Sequence, residues 1–164
     1  MQNIISMLGK IMILRNLYPL EIQKYQANRY PWFFLDIVEE VMPGKYANGY
    51  KNFTYNEWFF PPHFEDNPIV PGFILTESLV QMFIMTFLTL ENKGSISTNL
   101  ISSNNKFIIE IKPGDRLDIK AKLDSYKRGL AKGSSIGYIK DKVAIKCEFM
   151  VSVPSIMNQF RPKI

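Results

Sequence analysis

Between Phe73 and Leu90 a single side chain carries a charge, Glu77. Pro71-Gly72 precedes this apolar run and Asn92-Lys93-Gly94 follows it. The punctuation predicts one long helix over residues 72–91, with Gly94 as its stop. The run approaches the length of a membrane span, but Glu77 and Gln81 lie inside it. A buried core helix is the cheaper solution for such a pattern, and no membrane span is expected. On a helical wheel Ile74, Glu77, Gln81, Ile84 and Leu88 share a stripe. The carboxyl therefore lies on or beside the buried face, one turn from the Gln81 carboxamide.

A helix this apolar needs a cover, and the C-terminal half supplies one. Leu117, Ile119, Ala121 and Leu123 alternate with Asp118, Lys120, Lys122 and Asp124. Val143, Ile145, Cys147, Phe149 and Val151 alternate with Ala144, Lys146, Glu148, Met150 and Ser152. A period of two is that of half-buried antiparallel strands. Trp32 to Met42 reads as an earlier strand, and Pro43-Gly44-Lys45 turns it into a second over Tyr46 to Thr54. Pro19 to Gln26 opens a short helix, and Asn56 caps a helical turn before Pro61-Pro62. The sum is α+β: one long helix packed on an antiparallel sheet of five or six strands. Residues 1–27 read as an N-terminal extension with a short amphipathic helix in the first eighteen. Residues 28–153 form the domain, and residues 154–164 a tail. No signal-peptide pattern is found, and Met7 and Met12 offer alternative starts.

Composition narrows the chemistry. One cysteine, Cys147, and one histidine, His63, argue against a disulfide framework and against a zinc site, so no metal is expected. Cys147 falls on the apolar phase of its strand and reads as core. A reducing cytoplasm is the default location. The net charge of +5 comes from scattered Lys and Arg without a dense basic run, which does not favour nucleic acid.

His63 is the readiest general base or acid in the chain, because imidazole titrates nearest neutrality. Glu77 follows it across the helix start. A carboxyl in apolar surroundings has its pKa raised by burial. It is either a structural carboxyl satisfied by hydrogen bonds or a proton donor, and composition alone leaves both readings open. Gly72 either starts a closely packed helix or offers its amide to an anion. Met82, Phe83, Met85 and Phe87 read as helix packing or a subunit contact. Asp36 receives no role.

The order of motifs carries a family resemblance. Arg29-Tyr30-Pro31 precedes a strand, Pro43-Gly44-Lys45 a turn, and Phe59-Phe60 comes just before His63-Phe64. Pro68-Ile69-Val70-Pro71-Gly72, Glu77 with Gln81, and Pro113-Gly114-Asp115 follow. From about residue 28 to 153 this resembles the β-hydroxyacyl-(acyl-carrier-protein) dehydratases of type II fatty-acid synthesis, which have the hot-dog fold. Glu at position 77 is like the branch that only dehydrates. The resemblance implies that His63 removes the α-proton of a 3-hydroxyacyl thioester and Glu77 protonates the departing hydroxyl. It further implies that the Gly72 amide meets the thioester carbonyl, Phe73 helps bind substrate and Gln81 orients Glu77. It implies no cofactor, a homodimer or a trimer of dimers, and His and Glu of one site drawn from opposite subunits. The partner would be acyl carrier protein bearing a 3-hydroxyacyl phosphopantetheine, met by Lys106, Lys112, Arg116 or Lys127.

The chain departs from the pattern at four places. Pro62 stands where Gly usually precedes the histidine, and Glu65-Asp66 replace a usual Pro-Gly. Asn28 replaces a histidine before Arg-Tyr-Pro, and Ser102 to Phe107 lacks a usual Ile-Asp start. Two alternatives stand beside the dehydratase. A hot-dog acyl thioesterase needs only a carboxylate that activates water, and a non-catalytic subunit would bind acyl chains or carrier protein.

Overall fold

The computed structural model describes residues 12–91 and 93–160. Seven strands, β1 (Leu14–Leu17), β2 (Ile37–Met42), β3 (Tyr46–Asn52), β4 (Asn99–Phe107), β5 (Arg116–Lys127), β6 (Leu130–Ile139) and β7 (Lys142–Ser152), form one sheet. Their order is β1-β2-β3-β5-β6-β7-β4, and every neighbouring pair is antiparallel. The long helix, α2, spans Gly72–Leu88 and packs on β2, β3, β5, β6 and β7. Short helices α1 (Pro19–Ile22) and α3 (Pro154–Met157) flank this body.

The alternating patterns of β5 and β7 land as expected at most positions, but Leu123 and Val143 are half-buried and Ala144 is buried. Leu117, Ile119, Ala121, Ile145, Cys147, Phe149 and Val151 are buried against the helix. Two glycines let α2 come close. A Cβ on Gly133 would lie 2.5 Å from the Phe83 ring, and one on Gly49 would lie 2.7 Å from the Met82 methyl. The core is continuous, and Phe83 stacks on Phe149 at 5.5 Å between centroids. Helix burial is not confined to a stripe: every residue from Ile74 to Thr89 is buried except Glu77, which is half-buried. An apolar helix of this kind is enclosed on all sides.

Several boundaries differ from the sequence expectation. Leu14–Leu17 forms a strand, not part of a helix: Leu14 pairs with Val41, Leu17 with Val38, and the Arg15 guanidinium joins the Glu40 carboxylate. The rest of the expected N-terminal helix, up to residue 11, lies outside the described residues. Residues 32–35 do not join the ladder, which is first met by the Asp36 N–H on the Tyr50 carbonyl at 3.0 Å; the backbone of Trp32 and Phe34 is bonded to a side chain. The Phe34 N–H donates to the Gln81 side chain at 2.8 Å, and the Trp32 carbonyl accepts from it at 3.0 Å. Asn56 caps no helix; residues 54–60 run in successive turns, with the Glu57 N–H on the Thr54 carbonyl and the Phe60 N–H on the Glu57 carbonyl. Helix α2 stops at Leu88 rather than at 91, where the Thr89 hydroxyl donates to the Met85 carbonyl at 2.6 Å. The sheet has seven strands rather than five or six because β1 joins one edge and β4, mostly polar in sequence, forms the other.

Candidate active site

His63 sits in the loop that leads into α2. Its Nδ1 lies 3.1 Å from the Ile69 carbonyl oxygen. A carbonyl only accepts, so Nδ1 donates, and in the neutral ring the lone pair sits on Nε2. The backbone at this point is closed by the His63 N–H on the Phe60 carbonyl and the Ile69 N–H on the His63 carbonyl. The ring lines a cavity of about 330 Å³ together with Val70, Gly72, Leu75 and residues 107–111. Gly72 lies in its wall because it has no side chain: a Cβ there would stand 3.0 Å from the Phe107 ring.

Gly72, the first residue of α2, lines this cavity, while the Ile74 and Leu75 N–H groups are bonded to the Pro71 carbonyl. Pro71 occupies the N-cap, and among the described residues no side chain caps the helix. The leading N–H groups of a helix have no intrahelical carbonyl, and the helix dipole places partial positive charge there. A developing oxyanion is the natural complement of such an end.

Glu77 lies elsewhere on α2. It is not among the residues lining the His63 cavity. Leu75 lines that cavity, and two residues of helix turn a side chain by roughly 200°. Glu77 therefore faces nearly the opposite direction within the same chain. Its Oε1 accepts from Gln81 Nε2 at 2.8 Å and from Asn28 Nδ2 at 3.1 Å. Burial pushes its pKa above the ordinary carboxyl value, and hydrogen bonds from Gln81, Trp32 and Asn28 pull it back only in part. A proton donor for a leaving hydroxyl needs this kind of upward shift.

Phe73 is exposed and stacks on Trp32 at 6.1 Å between centroids, with Trp58 tilted against Trp32 at 6.3 Å. The site residues named from sequence thus fall into two groups in one chain, His63 with Gly72 and Glu77 with Gln81 and, through Trp32, Phe73. Asn28 and Trp32 were not foreseen as partners of the carboxyl and its carboxamide; each lies 49 residues away in sequence from the residue it bonds. Asp36 is structural: its carboxylate accepts the Asn52 N–H at 2.7 Å and faces the Lys51 ammonium. Cys147 is a core thiol, its pKa pushed up to about 12 by burial.

A family model described as a FabA-like domain matches residues 27–148. The 3-hydroxyacyl-[acyl-carrier-protein] dehydratase FabZ of Clostridium novyi (strain NT) is 37% identical over 134 residues, covering 81% of this chain and 94% of that protein. The FabZ of Bacillus licheniformis is 34% identical over 134 residues, covering 81% of this chain and 93% of its own. Among solved structures, the dehydratase heterocomplex ApeI:P from Xenorhabdus doucetiae aligns with a TM-score of 0.71 at 13% identity, covering 87% of this chain and 97% of that one. The uncharacterized protein PH1136 from Pyrococcus horikoshii aligns at 0.60 and 15% identity, covering 84% and 95%. The architecture is the hot-dog fold, a central helix wrapped by an antiparallel sheet. By the matched domain and the extent of these identities, the chain belongs to the FabA-like family and, within it, to the 3-hydroxyacyl-[acyl-carrier-protein] dehydratases.

Proposed function

We propose that this chain dehydrates 3-hydroxyacyl thioesters on acyl carrier protein, with each site built from His63 of one copy and Glu77 of a second. The observation that carries the proposal is the His63 imidazole, fixed by the Ile69 carbonyl with Nε2 free, beside an uncapped helix start. Nε2 takes the C2 proton, and the charge developing on the thioester oxygen meets the Gly72 N–H. The electron pair released at C2 forms the C2=C3 double bond as the C3–O bond breaks. Glu77 gives its proton to the departing hydroxyl, which leaves as water. The proton on His63 then returns to Glu77 through solvent, and both groups are reset.

The split site needs a second copy, and β4 offers the place for it. Among the described residues this strand pairs with β7 alone, and its outer edge presents N–H and C=O groups to a further strand. Leu100, Ile101, Phe107 and Ile108 lie exposed on or just beyond it. Pairing of two β4 edges about a two-fold axis gives a dimer, and three such dimers the larger assembly. The acyl chain would rest along the exposed Trp32, Trp58 and Phe73 rings. Lys106 and Lys112 bracket the segment that walls the His63 cavity and suit an acidic carrier protein in the cytoplasm. Arg116 suits it less, because its guanidinium is bonded to Asp118 at 2.7 Å and Glu39 at 3.1 Å. Among the described residues no helix is long and apolar enough to cross a membrane.

The test is hydration of a crotonyl thioester, the reverse reaction, by the purified chain. Turnover is expected, with loss of roughly 10²–10⁴-fold in His63→Ala at unchanged folding. Release of free thiol without hydration would make the chain a thioesterase, and undiminished turnover in His63→Ala would remove the imidazole from the mechanism.

A further inference from the structure

We propose that Asn28 is a positioning residue for the catalytic acid: with Gln81 it holds Oε1 of Glu77 as an acceptor, so that the transferable proton resides on Oε2. This inference rests on the reading of Glu77 as the proton donor.

The orientation of the Gln81 carboxamide leaves little choice. Its Oε1 accepts the Phe34 N–H at 2.8 Å, and its Nε2 donates to the Trp32 carbonyl at 3.0 Å. A backbone N–H cannot accept and a carbonyl cannot donate, so nitrogen and oxygen of this amide cannot be exchanged. The second hydrogen on Nε2 then points to Glu77 Oε1, at 2.8 Å. Asn28 Nδ2 reaches the same oxygen at 3.1 Å. An oxygen whose lone pairs receive two N–H donors does not also present an O–H to them. These two donors mark Oε1 as an acceptor and favour Oε2 as the oxygen that bears the proton before substrate arrives, which narrows a rotational choice in the transfer step.

Asn28 is itself held in place. The Arg29 guanidinium donates to the carbonyls of Gln26 and Asn28 at 2.8 Å each and to that of Gln23 at 3.1 Å. The Ala27 N–H bonds the Ile96 carbonyl, and the Ile96 N–H bonds the Tyr25 carbonyl. Gln26 is fully buried with its side-chain amide on the Met85 sulfur of α2. The loop that carries Asn28 is thus tied to the helix that carries Glu77. The groups set against the carboxyl are Asn28, Gln81 and Trp32, and none of them titrates near neutrality. Asparagine supplies a donor whose charge does not change with pH, where an imidazole would become a cation as pH falls. The donor also offsets part of the burial effect, which keeps the acid able to release its proton.

The test uses the full chain with Asn28→Ala, Asn28→Asp and Asn28→His, crotonyl-thioester hydration, and titration of the Glu77 carboxyl by ¹³C NMR with Glu77→Gln to assign its signal. Asn28→Ala should lower kcat roughly 10- to 100-fold with KM changed less than about twofold, and raise the Glu77 midpoint. Asn28→Asp, which keeps the shape, should raise that midpoint further, because a second carboxylate disfavours ionisation. Asn28→His, which restores an N–H, should recover most of kcat. If Asn28→Ala fails to fold, the Asp variant decides by the same two readouts. A Glu77 midpoint and kcat both unmoved, with Glu77→Gln inactive, would overturn the role of Asn28 alone. Full activity in Glu77→Gln would overturn the reading of the acid, and this proposal with it.

Discussion

A carboxyl whose pKa is raised by burial has a consequence for stability as well as for catalysis. Glu77 binds its proton more tightly in the folded chain than in the unfolded one. Below the ordinary carboxyl value both states are protonated and the group costs nothing. As pH rises through the window between the unfolded and folded values, the unfolded state loses its proton first, and the folded state is progressively destabilised. Glu77→Gln removes this titration while its amide oxygen can still accept from Asn28 and Gln81. The melting temperature of the variant should therefore match the wild type in acid and exceed it increasingly toward neutral pH. A constant difference across the range would mean that the carboxyl is not held above its ordinary value. At this scale His63, Glu77, Gly72 and Gln81 were legible in the sequence because each is a polar or special residue placed against an apolar or prolyl background. Asn28 appeared there only as a departure from a pattern. Nothing local to Asn28 says that a carboxyl 49 residues away will accept its amide. The tautomer of His63 was likewise invisible, because it depends on the carbonyl of Ile69 folding back onto the ring.

Helix α2 carries Glu77 on one side and sets Gly72, at its first position, in the wall of the His63 cavity on another; its start is the more sensitive part. A methyl on Gly72 would meet the Phe107 ring at 3.0–3.2 Å, closer than ordinary packing allows. Phe107 is half exposed at the end of β4, so its ring has room to yield. Gly72→Ala should then fold, with stability changed by no more than about 1 kcal/mol, since mild overpacking is offset by the better helix propensity of alanine. The displaced ring also lines the His63 cavity, and kcat/KM should fall roughly tenfold from misplacement of the substrate carbonyl. Thermal melts and steady-state kinetics on one preparation separate the two effects; a large loss of stability with unchanged kcat/KM in the folded fraction would mean that the helix start is only a packing device. The helix itself was legible from its run of apolar residues between Pro71 and Asn92. Its end was not, because Thr89 reads as one more helical position and its hydroxyl closes the last turn on Met85. Residues 32–35 have strand-forming side chains, yet the Phe34 N–H and the Trp32 carbonyl are taken by the Gln81 side chain, so the strand begins later than propensity suggests. Strand β1 was missed for the complementary reason: four residues are too few to show a period of two.

For the whole molecule, the proposed pairing of His63 with Glu77 calls for a second copy, because within one chain Glu77 does not line the His63 cavity. Leu75 faces the His63 cavity, and Glu77 is turned from it by roughly 200° along the helix. The β4 edge, which pairs only with β7 among the described residues, is where the proposed dimer would join. If each site draws its base from one copy and its acid from the other, His63→Ala and Glu77→Gln homodimers are both inactive. In a heterodimer of the two, one site receives His63 and Glu77 intact and the other receives neither. Activity should rise from the level of either parent toward half that of wild type in a pure heterodimer. With random exchange of equal amounts, half of the dimers are mixed, and the expected recovery is about one quarter of wild type by the same counting. Exchange has to be verified by co-purification of differently tagged chains, and the assembly by a solution mass of two or six chains of 19.0 kDa each. Proline or lysine substitutions at Leu100 and Ile101 on the exposed β4 edge should weaken the pairing and abolish recovery together with wild-type activity. Mixed dimers that form and yet stay as inactive as their parents would place base and acid in the same chain. That outcome would require a rotation of α2, or of the loop bearing His63, large enough to bring the imidazole to the face where Asn28 and Gln81 hold the carboxyl.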